Sequence, residues 1–208
     1  MSDVTSRPGS RRREQTRGRL LQAAHELFAE VGMDAASVEA ICERAGFTRG
    51  AFYSNFESKD DLFLALIAHL AEEKLDEVDG RVRDLPPGGP ADVSTLVRQV
   101  MGASFSERME PQLAAELRTQ ALRDPRLAAA YLAWQEAVRG RVAGIIGSVV
   151  QAYGLRLRVS VDEAAQLFLD VSDDTCALAT LEGHPAAEVT ERIHSRLEAL
   201  VALIVATP

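Results

Sequence analysis

A glycine set between two short helix-forming runs constrains this chain more than any other feature: residues 37 to 59 read SVEAICERAGFTRGAFYSNFESK. Ser37 is a good amino-terminal cap, and Val38, Ile41, Cys42 and Ala45 form an apolar stripe at helical spacing, with Glu39, Glu43 and Arg44 left for water. The spacing predicts a helix over residues 38–45. Gly46 supplies a left-handed turn, Phe47 can fill the angle beyond it, and Thr48 can cap a second helix over residues 49–56. Two short helices joined in this way make a helix-turn-helix. In the second, Phe52 and Phe56 stand four apart and can anchor inward, leaving Arg49, Gly50, Tyr53, Ser54 and Asn55 nearer the outside. Those side chains suit a nucleic-acid groove, since Arg pairs bidentately with guanine, Asn pairs with adenine, and Tyr, Thr, Ser and Lys commonly hold phosphates. The competing interpretation is an ordinary helical hairpin with a solvated face. The joint presence of caps, glycine turn, aromatic anchors and the trailing Ser58-Lys59 favours the groove.

The same residues resemble the DNA-binding domain of the TetR family of bacterial transcriptional regulators. The resemblance covers about residues 15–65, with LLQAAHELFAEVGMDAAS similar to the family's first helix and loop, and AGFTRGAFYSNFESKDDLFLAL similar to its turn, recognition helix and start of helix four. It implies phosphate contacts at Thr48, Tyr53 and Lys59, and base-facing positions at Arg49, Gly50, Ser54 and Asn55. Ser37 stands where the family often has a capping Thr, and Ala51 where a small hydroxyl residue is common.

Net charge of −8 argues at first against a polyanionic partner. Its distribution removes the conflict. Residues 1–20 carry six arginines (7, 11, 12, 13, 17 and 19) against Asp3 and Glu14, and the excess of acid lies wholly in residues 61–208. A basic amino-terminal arm is commonly a disordered solubilising tail, but ahead of a DNA-binding helix it is expected to lie along phosphates or enter a minor groove. The chain's 208 residues, 47% of them hydrophobic, suffice for a small domain at residues 1–60 and a larger one at 61–208. No apolar run approaches a membrane span and the first residues carry no apolar signal region, so a cytoplasmic location is expected. Cys42 and Cys176 stand apart on apolar helical faces, as packed free thiols do.

Apolar spacing from Arg12 to Val31 predicts helix one, stopped by Gly32, and Lys59 to Asp84 reads as a long helix four bridging the domains. After the loop at residues 85–90, helices are expected over 92–106, 111–123, 125–153, 162–181 and 185–206, giving an all-α chain of about nine helices. The fold class expected is a three-helix helix-turn-helix domain followed by a helical bundle for ligand binding and dimerisation. Leu167, Phe168, Val171, Leu178 and Leu181, with Val189, Ile193, Leu197, Leu200, Val201 and Ile204, form stripes on the last two helices that point to a homodimer seam. Packing within one chain is the alternative. Two-fold pairing implies a palindromic operator in double-stranded DNA.

The family resemblance further implies a small-molecule effector pocket in the second domain. Met101, Phe105, Met109, Leu117, Tyr131, Trp134 and Cys176 are its candidate lining, each also compatible with plain core packing. Asp170, Asp173 and Asp174 could attract a cation but suit a solvated edge or salt-bridge set better, and His184, Glu188, Glu191 and His194 suit the surface better than a metal site. No metal or cofactor is expected. The absence of a glycine-rich phosphate loop, a serine-centred elbow or a metal triad speaks against an enzyme. A bundle that recruits a protein partner in place of a small ligand is the alternative function.

Overall fold

The computed structural model describes residues 8–86, 93–101 and 111–206. Among these it contains nine α-helices and no strand: α1 (Pro8–Val31), α2 (Val38–Ala45), α3 (Arg49–Tyr53), α4 (Lys59–Arg83), α5 (Val93–Met101), α6 (Pro111–Ala121), α7 (Pro125–Tyr153), α8 (Val161–Leu181) and α9 (Ala186–Ile204). The chain divides into two compact units, Met1–Ala68 and His69–Pro208, with α4 contributing its start to the first and its remainder to the second. The first unit therefore runs eight residues beyond the boundary expected at residue 60.

The first unit is built on apolar faces written at helical spacing. Leu20, Ala24, Leu27 and Phe28 of α1 are buried, as are Leu62, Phe63, Leu66 and Ile67 of α4. Phe28 and Phe63 meet edge to face, ring centres 5.3 Å apart, tying α1 to α4. Lys59, expected on a phosphate, has another task here. Its Nζ donates to the carbonyls of Met33 (2.8 Å) and Ala36 (3.1 Å), with Asp34 at 3.4 Å, so the ammonium ties the α1–α2 loop to the start of α4. An ammonium has three protons, and these carbonyls engage them inside the domain.

In the second unit, helix ends follow local chemistry. The side chain of Asp124 caps α7 by accepting from Arg126 N at 2.8 Å, and Gly154 ends that helix at a φ of 60°. A capping box opens α8, in which Ser160 accepts from Glu163 N (3.1 Å) while the Glu163 carboxylate accepts from Ser160 N (2.9 Å). Two hydrogen bonds to the carboxylate, from Ser160 N and then from the Ser160 hydroxyl at 2.8 Å, hold the Glu163 carboxyl below the usual glutamate range.

The stripe on α9 is core. Val189, Ile193, Leu197 and Val201 pack with Val97 and Met101 of α5 and Ala179 of α8, so these residues, assigned from the sequence to a subunit seam, are consumed within one chain. His194 is also buried, at 3% exposure, because it shares that inward face with Thr190 and Leu197; the surface position expected for it is not found. What α8 and α9 leave exposed is Leu167, Leu178 (48%), Leu181 (83%) and Leu203 (71%).

Candidate nucleic-acid interface

The helix-turn-helix is fixed by two caps and a turn. The Ser37 hydroxyl accepts from Ala40 N at 3.1 Å and the Thr48 hydroxyl from Ala51 N at 3.3 Å, so each helix begins at a side-chain oxygen. Gly46 sits at φ 72° and ψ 36°, with its N–H directed to the carbonyls of Cys42 and Glu43. Phe47 N donates to the Cys42 carbonyl at 2.9 Å, completing the exit from α2. Any residue with a Cβ is strained at that φ.

Helix α3 ends at Tyr53, earlier than its expected end at Phe56. The cause lies in two side chains that compete for one carbonyl: Ser54 Oγ and Asn55 Nδ2 both donate to the Ala51 carbonyl at 2.8 Å. Phe56 N still reaches the Phe52 carbonyl at 2.9 Å, which keeps the last turn compact. Phe52 and Phe56 are buried, with ring centres 5.7 Å apart, so the pair anchors α3 inward as their spacing predicts.

Arg49, Gly50, Tyr53 (51%) and Ser54 are exposed. Asn55 is not presented in the same way. It is half-buried, its amide donates to the Ala51 carbonyl and Ser54 Oγ, and its Oδ1 is buried without a hydrogen-bond partner among the described residues. Both ends of that amide are turned to the protein, which corrects the expectation of an outward adenine-reading Asn. Arg49 is paired with Glu39 of α2, and its guanidinium lies 5.9 Å from the centre of the Tyr53 ring. The Tyr53 hydroxyl, then Glu39, push that guanidinium further toward its charged form. Exposed Arg49 and Tyr53, with the hydroxyls of Thr48 and Ser54, form one cationic and hydrogen-bonding surface.

The arginines before α2 also depart from expectation. Arg7 lies outside the described residues, and Arg12 is exposed, but the side chains of Arg13, Arg17 and Arg19 donate to backbone carbonyls of the helix-turn-helix. Helix α1 starts at Pro8, so this stretch is helical and not an extended arm.

The candidate effector residues fall into separate groups. Phe105 and Met109 lie outside the described residues. Met101 and Cys176 pack with the α5–α9 core, and burial pushes the thiols of both Cys176 and Cys42 up. Leu117 is fully buried. Tyr131 and Trp134 lie together on α7, ring centres 5.5 Å apart. The Tyr131 hydroxyl accepts from Arg118 Nε (3.3 Å) and Gln135 Nε2 (3.1 Å), while Arg118 Nη2 reaches Asp173 at 3.4 Å. The buried Trp134 indole N–H has no hydrogen-bond partner among the described residues. Gln135 stands one helical turn after Tyr131 on α7, whereas Arg118 carries no sign in the sequence and only the packing of α6 on α7 brings it to Tyr131. Asp174 pairs with Arg196 at 3.5 Å and Asp170 accepts from Gln166 at 2.9 Å, so the acidic trio is exposed and partnered. A separate cleft of about 340 Å³ opens between α8 and α9, lined by Thr175, Leu178, Ala179, Glu182, Arg192, Ser195 and Arg196.

Comparison with known proteins follows these divisions. Residues 20–66 match the family described as bacterial regulatory proteins, tetR family. The HTH-type transcriptional regulator UidR of Escherichia coli is 32% identical over 116 residues, 56% of this chain and 57% of UidR, so the match spans little more than half of that curated relative. Among solved structures, a TetR transcription regulator from Haloarcula marismortui superposes with a TM-score of 0.68 at 18% identity, over 93% of this chain and all of that one. A protein of Saccharomonospora viridis solved in complex with choline gives a TM-score of 0.65 at 17% identity, over 93% of this chain and 100% of that one. At such identities these structures speak to the fold. Residues 20–66, which hold the helix-turn-helix, thus match the tetR family of bacterial regulatory proteins, and the helices of the two units share the fold of these solved structures.

Proposed function

We infer that the chain is a dimeric, sequence-specific regulator of transcription, a cytoplasmic repressor that leaves its operator when a small-molecule effector binds the second unit. The observation that carries this reading is the capped turn. Ser37, Gly46 and Thr48 hold a five-residue helix over two buried phenylalanines, with Arg49, Tyr53 and Ser54 turned outward. Arg49 is the candidate guanine reader, and Thr48, Tyr53 and Ser54 are candidates for phosphates. Gly50 gives the backbone close access to DNA. Ser37 supports the head as the cap of α2, and Lys59 by tying the α1–α2 loop to α4.

Dimerisation is supported by Leu178, Leu181 and Leu203, apolar side chains left in water by α8 and α9, with Leu178 also lining the 340 Å³ cleft. An effector site is supported by the α6–α8 junction, where an unsatisfied indole N–H, two aromatic rings and the Arg118–Asp173 pair lie on neighbouring helices. The choline held by the Saccharomonospora viridis protein makes a small organic cation a reasonable first probe. Effector and operator would then be coupled by about 1–3 kcal/mol, through α4 as the helix shared by both units.

Selection of duplexes from a random pool by the purified protein tests this reading. Recovered sites should be two-fold symmetric, with half-sites about one helical turn apart or a multiple of it. Recovery of no common sequence would count against specific recognition. Titration of the single Trp134 with choline and other small cations should change its emission and lower operator affinity together.

A further inference from the structure

Three arginines of α1 grip the carbonyl ends of the helix-turn-helix. Arg19 Nη2 donates to the carbonyl of Ala45, the last residue of α2, at 2.8 Å, and its guanidinium lies 4.9 Å from the centre of the Phe47 ring. Arg17 Nη1 donates to the Asn55 carbonyl at 3.2 Å and stacks 4.4 Å above Phe56. Arg13 Nη2 reaches the Ser54 carbonyl at 3.1 Å. Carbonyls at a helix's end lack intrahelical partners and carry the negative end of its dipole, so a guanidinium there satisfies both. The need is acute for α3. Five residues cannot sustain a helix alone, and Ser54 and Asn55 have already broken its last turn.

We propose that Arg13 and Arg17, with Arg19 at the turn, are positioning residues that set the pitch of α3, so that preference among DNA sequences depends on them while general affinity for DNA does not. This rests on the DNA-binding reading above. The fit at the turn is close on both sides: a Cβ placed on Gly46 would stand 3.3 Å from Arg19 Nη2, so the glycine leaves the space the arginine uses. Arg17 uses the plane of its guanidinium on Phe56 as well as its protons, which a lysine does not reproduce.

The test compares the parent protein with Arg17→Gln, Arg13→Gln/Arg17→Gln and Arg17→Lys. Binding is measured against the selected duplex and an unrelated duplex of equal length, over a series of salt concentrations. For the double variant, the ratio of the two affinities should fall by about tenfold, with affinity for the unrelated duplex and its salt slope unchanged. Were the arginines phosphate ligands, both affinities would fall together and the slope would flatten by about one per arginine removed, which overturns the proposal. A lower melting temperature with an unchanged affinity ratio would overturn it equally. Arg17→Lys should lose preference much as Arg17→Gln does, and full retention would contradict the planar grip. Amide exchange supplies a readout without DNA: exchange at residues 53–56 should quicken in the double variant while α4 stays protected. Unchanged exchange there removes the grip even if the parent binds no duplex, so the failure of either idea is visible apart from the other.

Discussion

The α2–α3 pair and the α8–α9 pair are both two-helix units, and they dispose of their apolar side chains in opposite ways. Ile41, Cys42, Ala45, Phe52 and Phe56 are all buried, and what faces water beside them is Arg49, Tyr53 and Ser54. In the second pair the inner stripe of α9 is equally well buried, yet Leu178, Leu181 and Leu203 remain outside. The first surface asks for a polyanion with hydrogen-bonding edges, and the second for another apolar surface. Local sequence sets this difference. Capping residues and a glycine decide the first pair, and a surplus of leucine decides the second.

The largest expected effect comes from the anchors. Phe52→Ala removes a fully buried ring that touches Tyr53 and Phe56, and should cost about 3–5 kcal/mol of stability by thermal or denaturant unfolding. A loss below about 1 kcal/mol would mean that α3 does not depend on its inward face. Next, Arg49→Ala should cost about 1–3 kcal/mol at one base position and relax the selected motif there alone. An identical motif from parent and variant would remove Arg49 from the base-reading set. For the second pair, Leu178→Glu with Leu181→Glu should weaken self-association by about tenfold or more in sedimentation, from charge placed in an apolar contact, while helicity is unchanged. Wild-type association by that variant would move the seam off this face.

The smallest effect is pH-dependent and lies at the start of α8. The folded-state carboxyl of Glu163 titrates below its unfolded value, so its contribution is complete above the unfolded value and disappears as pH falls through the folded one. Ser160→Ala should therefore lower the melting temperature slightly at neutral pH, and the gap from the parent should narrow in acid. A gap independent of pH would show that the Ser160 hydroxyl does not hold the Glu163 carboxylate.

How much could be read from residues alone follows the reach of each interaction. The caps at Ser37, Thr48 and Asp124 and the stops at Gly46 and Gly154 involve partners within a few positions, and those helix ends fall where the pattern places them. The end of α3 was hidden because Ser54 and Asn55 are ordinary surface residues until both turn onto the Ala51 carbonyl. Lys59, Arg13, Arg17 and Arg19 looked like phosphate ligands because charge alone does not say which oxygen a long side chain reaches. Their oxygens belong to backbone 23 to 41 residues away in the chain. The α9 stripe misled for a similar reason: periodicity shows that a face is apolar, and only the placement of Val97, Met101 and Ala179 shows that the same chain covers it.

Placing a photo-crosslinking side chain at Tyr53, with the exposed Leu132 of the second unit as the control position, tests most directly whether the outer face of α3 meets DNA. Position 53 should couple to a selected duplex in a salt-sensitive manner and position 132 should not. Coupling from position 132 alone, or from neither at low salt, would contradict the account.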